Sequence, residues 1–170
     1  MTDLNSRLDS VSRELETRLQ AMRSINEFGR LMSLAREPEE ITANLLDRML
    51  SELHVACGSL LLVDANGDLV EVLRRGLAAD PLTRRDDTGA SPADGVLTAR
   101  QPFIVRVEDL DDSQADGSPW LDELRALSLQ SALAVPLVAQ DRALGLITAY
   151  ADGSRRPFED AELELATALA

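Results

Sequence analysis

Apolar residues at Leu4, Leu8, Val11, Leu15, Met22 and Ile25 recur with the alternating four-then-three spacing of a helical seam, and Arg18 stands where a further core position would fall. Leu19, beside that break, widens the stripe toward the pattern of a four-helix bundle. A helix over residues 3–36 would be about 50 Å long. A domain built from the rest of the chain spans only about 35–40 Å. The spacing therefore predicts a helix that protrudes or pairs with a second copy in preference to folding back, with Gly29 softening it near its end.

Beyond this helix the pattern changes. Pro38, followed by Glu39 and Glu40, opens an amphipathic helix with Ile41, Leu45, Met49 and Leu53 on one face. CGSLLLVD and LVEVLRR predict two strands around Ala65-Asn66-Gly67-Asp68, whose Asn-Gly pair signals a hairpin. From 76 to 99 the pattern weakens: PLTRRDDTGASPADG is expected to be loop and DGVLTARQ a short helix. PFIVRV predicts a strand, EDLDDSQADG an acidic loop, and SPWLDELRAL a helix with Ser118 at the N-cap and Pro119 at its first position. Two apolar strands, SALAVPLV and ALGLITAYA, are joined by a tight AQDR turn. A final acidic helix, PFEDAELELATALA, has no C-cap glycine and no closing basic residue, so the chain is expected to continue past Ala170 into a further domain. The order predicts an antiparallel α+β domain over 37–170 behind a signalling or dimerisation helix over 1–36.

Composition narrows the chemistry. At 170 residues and 45% hydrophobic content the chain can build a core. No stretch approaches eighteen consecutive apolar residues and MTDLNSRLDS lacks signal-peptide order, so a cytoplasmic protein is expected. The net charge of −13 is uneven: residues 1–36 hold six Arg against five acids, leaving −14 on 37–170. Such acidity opposes nucleic acid or anionic membrane as the main partner. There is no Lys, one Cys (Cys57) and one His (His54). A Walker A loop, a Schiff base, a structural zinc site and an intramolecular disulfide are thereby excluded.

Four stretches in this order, SLLLVDANGDLVEVLRRG, GVLTARQPFIV, SALAVPLVAQDRALGLITAY and PFEDAELELATALA, resemble the GAF domain, a sensory module of bacterial signalling proteins and cyclic-nucleotide phosphodiesterases. The resemblance covers about residues 37–170 and implies a PAS-related antiparallel sheet of five to six strands flanked by helices. Local physics agrees. Pro136 lacks an N–H and belongs at a sheet edge or bulge, Gly145 permits close backbone approach, and Phe158 precedes Leu163 by the spacing of a hydrophobic staple if Glu159 is the cap.

The resemblance places a ligand between the sheet and the segments 77–101 and 109–129; cyclic nucleotides, haem, bilins, amino acids and keto acids all occur in the family. Arg74 and Arg75 end the second strand beside that pocket, and one of them could hold an anion, the alternative being a solvated strand end. Trp120 could stack on a planar ligand or plug the core. Thr148 and Tyr150 share one sheet face and could point polar groups inward or pack at the core edge. Asp112, Asp116, Gly117 and Glu123 match part of an EF-hand loop, but Gln114 and the preceding strand do not, which favours a solvated acidic loop. Cys57 and His54 precede or begin the first strand, where neither bilin attachment nor haem ligation is expected.

The function expected is regulatory: a small-molecule-sensing, homodimerising module without catalytic residues of its own, relaying to an output domain such as a histidine kinase or diguanylate cyclase. A ligand-free dimerisation scaffold is the competing expectation, and a chromophore or haem sensor a weaker one. A sulfoxide reductase of the same fold would need several thiols, and the chain has one.

Overall fold

The structure, a computed structural model, describes residues 38–110 and 118–170. The helix expected over 3–36, with its seam, and the acidic-loop residues Asp112, Gln114, Asp116 and Gly117 lie outside the described residues.

Helix α1 (Pro38–Glu52) leads into strands β1 (Cys57–Val63) and β2 (Leu69–Arg75). A 3-10 turn (Pro81–Thr83), helix α2 (Pro92–Ala99) and strand β3 (Phe103–Arg106) follow. A second 3-10 turn (Val107–Asp109) and helix α3 (Pro119–Ala126) precede the long strands β4 (Leu129–Ala139) and β5 (Arg142–Asp152), and helix α4 (Asp160–Leu169) closes the order. The five strands form one antiparallel sheet in the order β2-β1-β5-β4-β3. The expected α+β architecture and both hairpins are present.

Hairpin chemistry explains the local geometry. Between β1 and β2, Gly67 (φ 89°) takes the left-handed position after a turn closed by its N–H on the Asp64 carbonyl at 3.1 Å. The Asp64 carboxylate accepts from the Asn66 and Asp68 N–H groups, and these bonds hold its pKa below the ordinary carboxylate range. Asn66 is not left-handed, so the loop is a type I turn with a glycine bulge rather than the two-residue form that Asn-Gly also permits. The β4–β5 turn is the two-residue form: Gln140 and Asp141 have φ of 51° and 62°.

Each sheet face carries a core. On one, Leu46, Met49 and Leu50 of α1, Leu53 just after it and Ala166 of α4 pack on Leu60, Leu133, Val135, Ile147, Ala149 and Ala151. The buried stripe of α1 is thus rotated from the expected one, because Leu46 and Leu50 face the sheet while Ile41 is 50% exposed. Gly145 lets β5 lie close against β1: a Cβ there would meet the Leu61 carbonyl oxygen at 2.1 Å. Pro136 lies in β4 beyond Ala134, the last residue paired with β3, so its missing N–H falls where the outer neighbour has ended. Phe158 and Leu163 bury together and Glu162 accepts from the Glu159 N–H at 2.8 Å, giving α4 the expected staple with a Glu cap.

The opposite face is covered by Leu82 from the first 3-10 turn, Ala93 and Val96 from α2, and Leu121 and Leu124 from α3, packed on Leu61, Ala132, Ala134, Leu146 and Tyr150. Helix α2 begins at Pro92, earlier than its pattern predicts, because Ser91 caps it by accepting from the Asp94 N–H.

Candidate functional site

Alternation along β5 points Thr148 and Tyr150 to the face covered by Leu82, Leu121 and Leu124, while Ile147 and Ala149 face α1. Ser59 lies opposite Thr148 in the β1–β5 register and therefore shares that face. Onto these three hydroxyls the segment after β2 lowers one acid, Asp80, which is 2% exposed. Asp80 is the N-cap of the 3-10 turn, its Oδ1 accepting from the Leu82 N–H at 2.9 Å, and Pro81 at the first position fits the same local geometry.

The carboxylate is fully engaged. Its Oδ2 accepts from the Thr148 hydroxyl at 2.6 Å and from Ser59, and its Oδ1 accepts from Tyr150. The Ser59 and Thr148 hydroxyls lie 2.8 Å apart, and the Ser59 N–H donates to Thr148 Oγ1 at 3.1 Å. Burial, then the Asp80 charge, push the Tyr150 phenol well above its ordinary value, so it stays protonated as a donor. The result is a buried anion held by hydroxyl and amide dipoles instead of a cation. Every donor except the amide comes from the sheet.

The other candidates are distributed around this cluster. Arg74 is the register partner of Ser59 on β2 and lies on the same face, paired with Glu71 at 2.7 Å. Arg75 faces the other way, where its guanidinium pairs with Asp47 of α1 at 3.0 Å. Trp120 packs at the edge of the covered face, its ring edge-on to Phe103 with centroids 6.5 Å apart. The structure brings Thr148 and Tyr150 together, puts Arg74 and Trp120 on the same covered face, and sends Arg75 to the opposite face.

Cys57 is partly buried, its thiol donating to the Gly76 carbonyl at 3.5 Å, and burial followed by the Asp152 charge pushes its pKa up. Such a thiol is a poor nucleophile. His54 is exposed in the turn before β1, with φ 55°. Glu123, from the partial EF-hand match, pairs with Arg84 at 3.1 Å. Among the described residues no group of three or more His, Cys, Asp or Glu is arranged to hold a metal ion. A groove of about 480 Å³ opens elsewhere, at the end of the sheet between Val107, Arg125, Leu129 and Pro157.

Ser59 and Asp80 escaped the sequence reading. Asp80 meets its hydroxyl partners 21, 68 and 70 residues away, so no local spacing reveals them. The local trace is the Asp-Pro pair before Leu82, a cap followed by a helix-starting proline.

A five-stranded antiparallel sheet with one face closed by helices α1 and α4 and the other by short helices and loops defines an α+β domain. The family model for the GAF domain matches residues 37–170, and the chain belongs to that family. No curated protein matches it. Among solved structures, it is similar to a domain described as part of a two-component sensor histidine kinase from Sinorhizobium meliloti 1021, at 27% identity and a TM-score of 0.57 over 79% of this chain and 86% of that one. A GAF domain/HD domain protein from Geobacter sulfurreducens aligns at 21% identity and a TM-score of 0.57, over 77% and 85%. The blue-light absorbing form of the Thermosynechococcus elongatus PixJ GAF domain aligns at 23% and 0.53, over 78% and 79%. These last two likenesses speak for the fold alone. Among the described residues no helix is long and apolar enough to cross a membrane.

Proposed function

We propose that this chain is the regulatory, small-molecule-sensing module of a cytoplasmic signalling protein, pairing with a second copy through residues 1–36 and relaying to an output domain, with no catalysis of its own. The observation that carries this reading is the Asp80 anchor. One buried side chain fastens the covering segment to β5, the strand that leads through residues 153–159 into α4. A ligand that binds better when the cover is released, or better when it is held, shifts the population of two states and so the seat of α4. Membership in the GAF family and the likeness to a sensor-kinase domain support a regulatory role. Arg74, Trp120, Thr148 and Tyr150 are the proposed ligand contacts on the covered face, with Arg75 coupling β2 to α1.

A second reading, a dimerisation scaffold with a filled pocket, is favoured by the complete burial of Leu82, Leu121 and Leu124 on that same face. Thermal-shift screening of the chain against nucleotides, amino acids and keto acids separates the two. A saturable shift with one class supports sensing, and no shift with any supports the scaffold. Light scattering over a wide concentration range tests self-pairing: a monomer throughout removes dimerisation from the proposal.

A further inference from the structure

The three hydroxyls that grip Asp80 belong to the sheet, whereas the carboxylate they grip belongs to a connecting segment. Ser59, Thr148 and Tyr150 are each exposed by 1% or less. Their relative positions follow from strand register, since Ser59 opposes Thr148 and Tyr150 lies two residues along the same strand. The donor set is therefore preorganised independently of the segment that carries Asp80. It also addresses the two carboxylate oxygens separately, Tyr150 donating to one and Ser59 and Thr148 to the other. That division suits a planar, two-oxygen anion better than a spherical one. Arg74, alongside Ser59 on β2, adds a guanidinium to the same face.

We propose that these hydroxyls constitute a carboxylate receptor, filled by Asp80 in the chain alone, and that the ligand of this domain is a small organic acid whose carboxylate takes the place of Asp80. The second half rests on the sensing reading above; the first does not. Exchange of one carboxylate for another leaves every buried hydroxyl with its acceptor, so no unsatisfied donor opposes it. The displaced Asp80 enters water, and the segment carrying Leu82 loses its tie to β5. Because Asp80 is tethered and competes at high local concentration, a bare carboxylate such as acetate should not displace it. A ligand needs further contacts on the covered face to do so.

The test is chemical rescue in the full chain. In Asp80→Ala the receptor is vacated, and sodium acetate should raise the thermal midpoint saturably by about 2–4 °C at a few times its Kd. Sodium chloride at equal ionic strength should give only the unsaturable screening shift that any salt gives this acidic chain, and acetamide should give none. The unsubstituted chain should show no acetate-specific shift, and Asp80→Ala combined with Thr148→Val should lose the rescue. Equal responses of Asp80→Ala to acetate and chloride overturn the receptor. If Asp80→Ala is unfolded, the same titration is read as recovery of a cooperative transition, and recovery no better with acetate than with chloride overturns it equally. The ligand half is tested by screening 2-oxo, 2-hydroxy and amino acids against the unsubstituted chain and Thr148→Val. Binding abolished by Thr148→Val supports the proposal; binding unchanged by it leaves sensing intact and overturns the receptor as the ligand site. Rescue by acetate with no acid binding the unsubstituted chain keeps the receptor and overturns sensing of organic acids.

Discussion

Burial and the facing Asp80 charge hold the Tyr150 phenol in its protonated form well above the ordinary ionisation near 10. An unfolded chain sheds this proton first, so the stability contributed is complete below about 10 and is lost as pH rises through the folded value. Tyr150→Phe should abolish that alkaline loss, and at neutral pH it should cost about 1–3 kcal/mol by leaving Asp80 short of a donor. Urea titrations at neutral pH and at about pH 10.5 check both effects, and an unchanged alkaline slope in the variant would clear Tyr150 as its source. Gly145→Ala should cost about 3 kcal/mol, since its Cβ would press on the Leu61 carbonyl, which the sheet cannot move. Gly95→Ala, inside α2 with nothing within 4 Å of its Cβ, should instead stabilise by about 0.5–1 kcal/mol, read from the same urea midpoints. Thr148 and Tyr150 were legible because strand alternation fixes a face. Asp80 was not, because a charged residue in an unpatterned segment looks solvated until its distant partners are known.

At the scale of elements, helix α4 is held by the residues just before it. The Phe158 N–H donates to Ser131 Oγ at 2.8 Å, its carbonyl accepts from Arg106 Nε at 2.6 Å, and the Arg155 guanidinium lies 5.0 Å from its ring centroid. Arg155 also bonds the Leu53 carbonyl after α1 and the Glu162 carboxylate within α4, joining the two flanking helices. Burial raises the Glu162 pKa, but the Arg155 hydrogen bond and the Glu159 N–H outweigh it and bring the pKa below the ordinary 4.5. The stability this confers is present above the unfolded value and fades as pH falls through the folded one. Arg155→Ala should cost about 1–3 kcal/mol at neutral pH and weaken the fall in stability below about pH 4.5, with faster hydrogen exchange in the first turn of α4. Acid titrations matching those of the unsubstituted chain would assign Glu162 no part in it. Strands and long helices were legible from their periods. The two 3-10 turns were not, being too short to repeat a pattern, and the start of α2 was hidden although its Ser91-Pro92 pair is the same signal that revealed Ser118-Pro119.

For the whole molecule, the charge of −13 makes self-repulsion the long-range force on the fold. Raising sodium chloride from about 0.01 to about 1 M shortens the screening length from about 30 to about 3 Å and should raise the thermal midpoint. A fall would mean that exposed pairs such as Arg75 with Asp47 outweigh the repulsion. The family was legible from four stretches in order because each maps to a hairpin or helix of the sheet. The sheet order has a consequence for biosynthesis. The last strand made, β5, lies in the middle, between β1 and β4. While the chain emerges from the ribosome, the β1–β2 hairpin keeps one side open until residue 152 appears, and Ser59 waits for Thr148, 89 residues later. Nascent chains stopped before that point expose the open, apolar edge of β1, the kind of unpaired edge that invites aggregation.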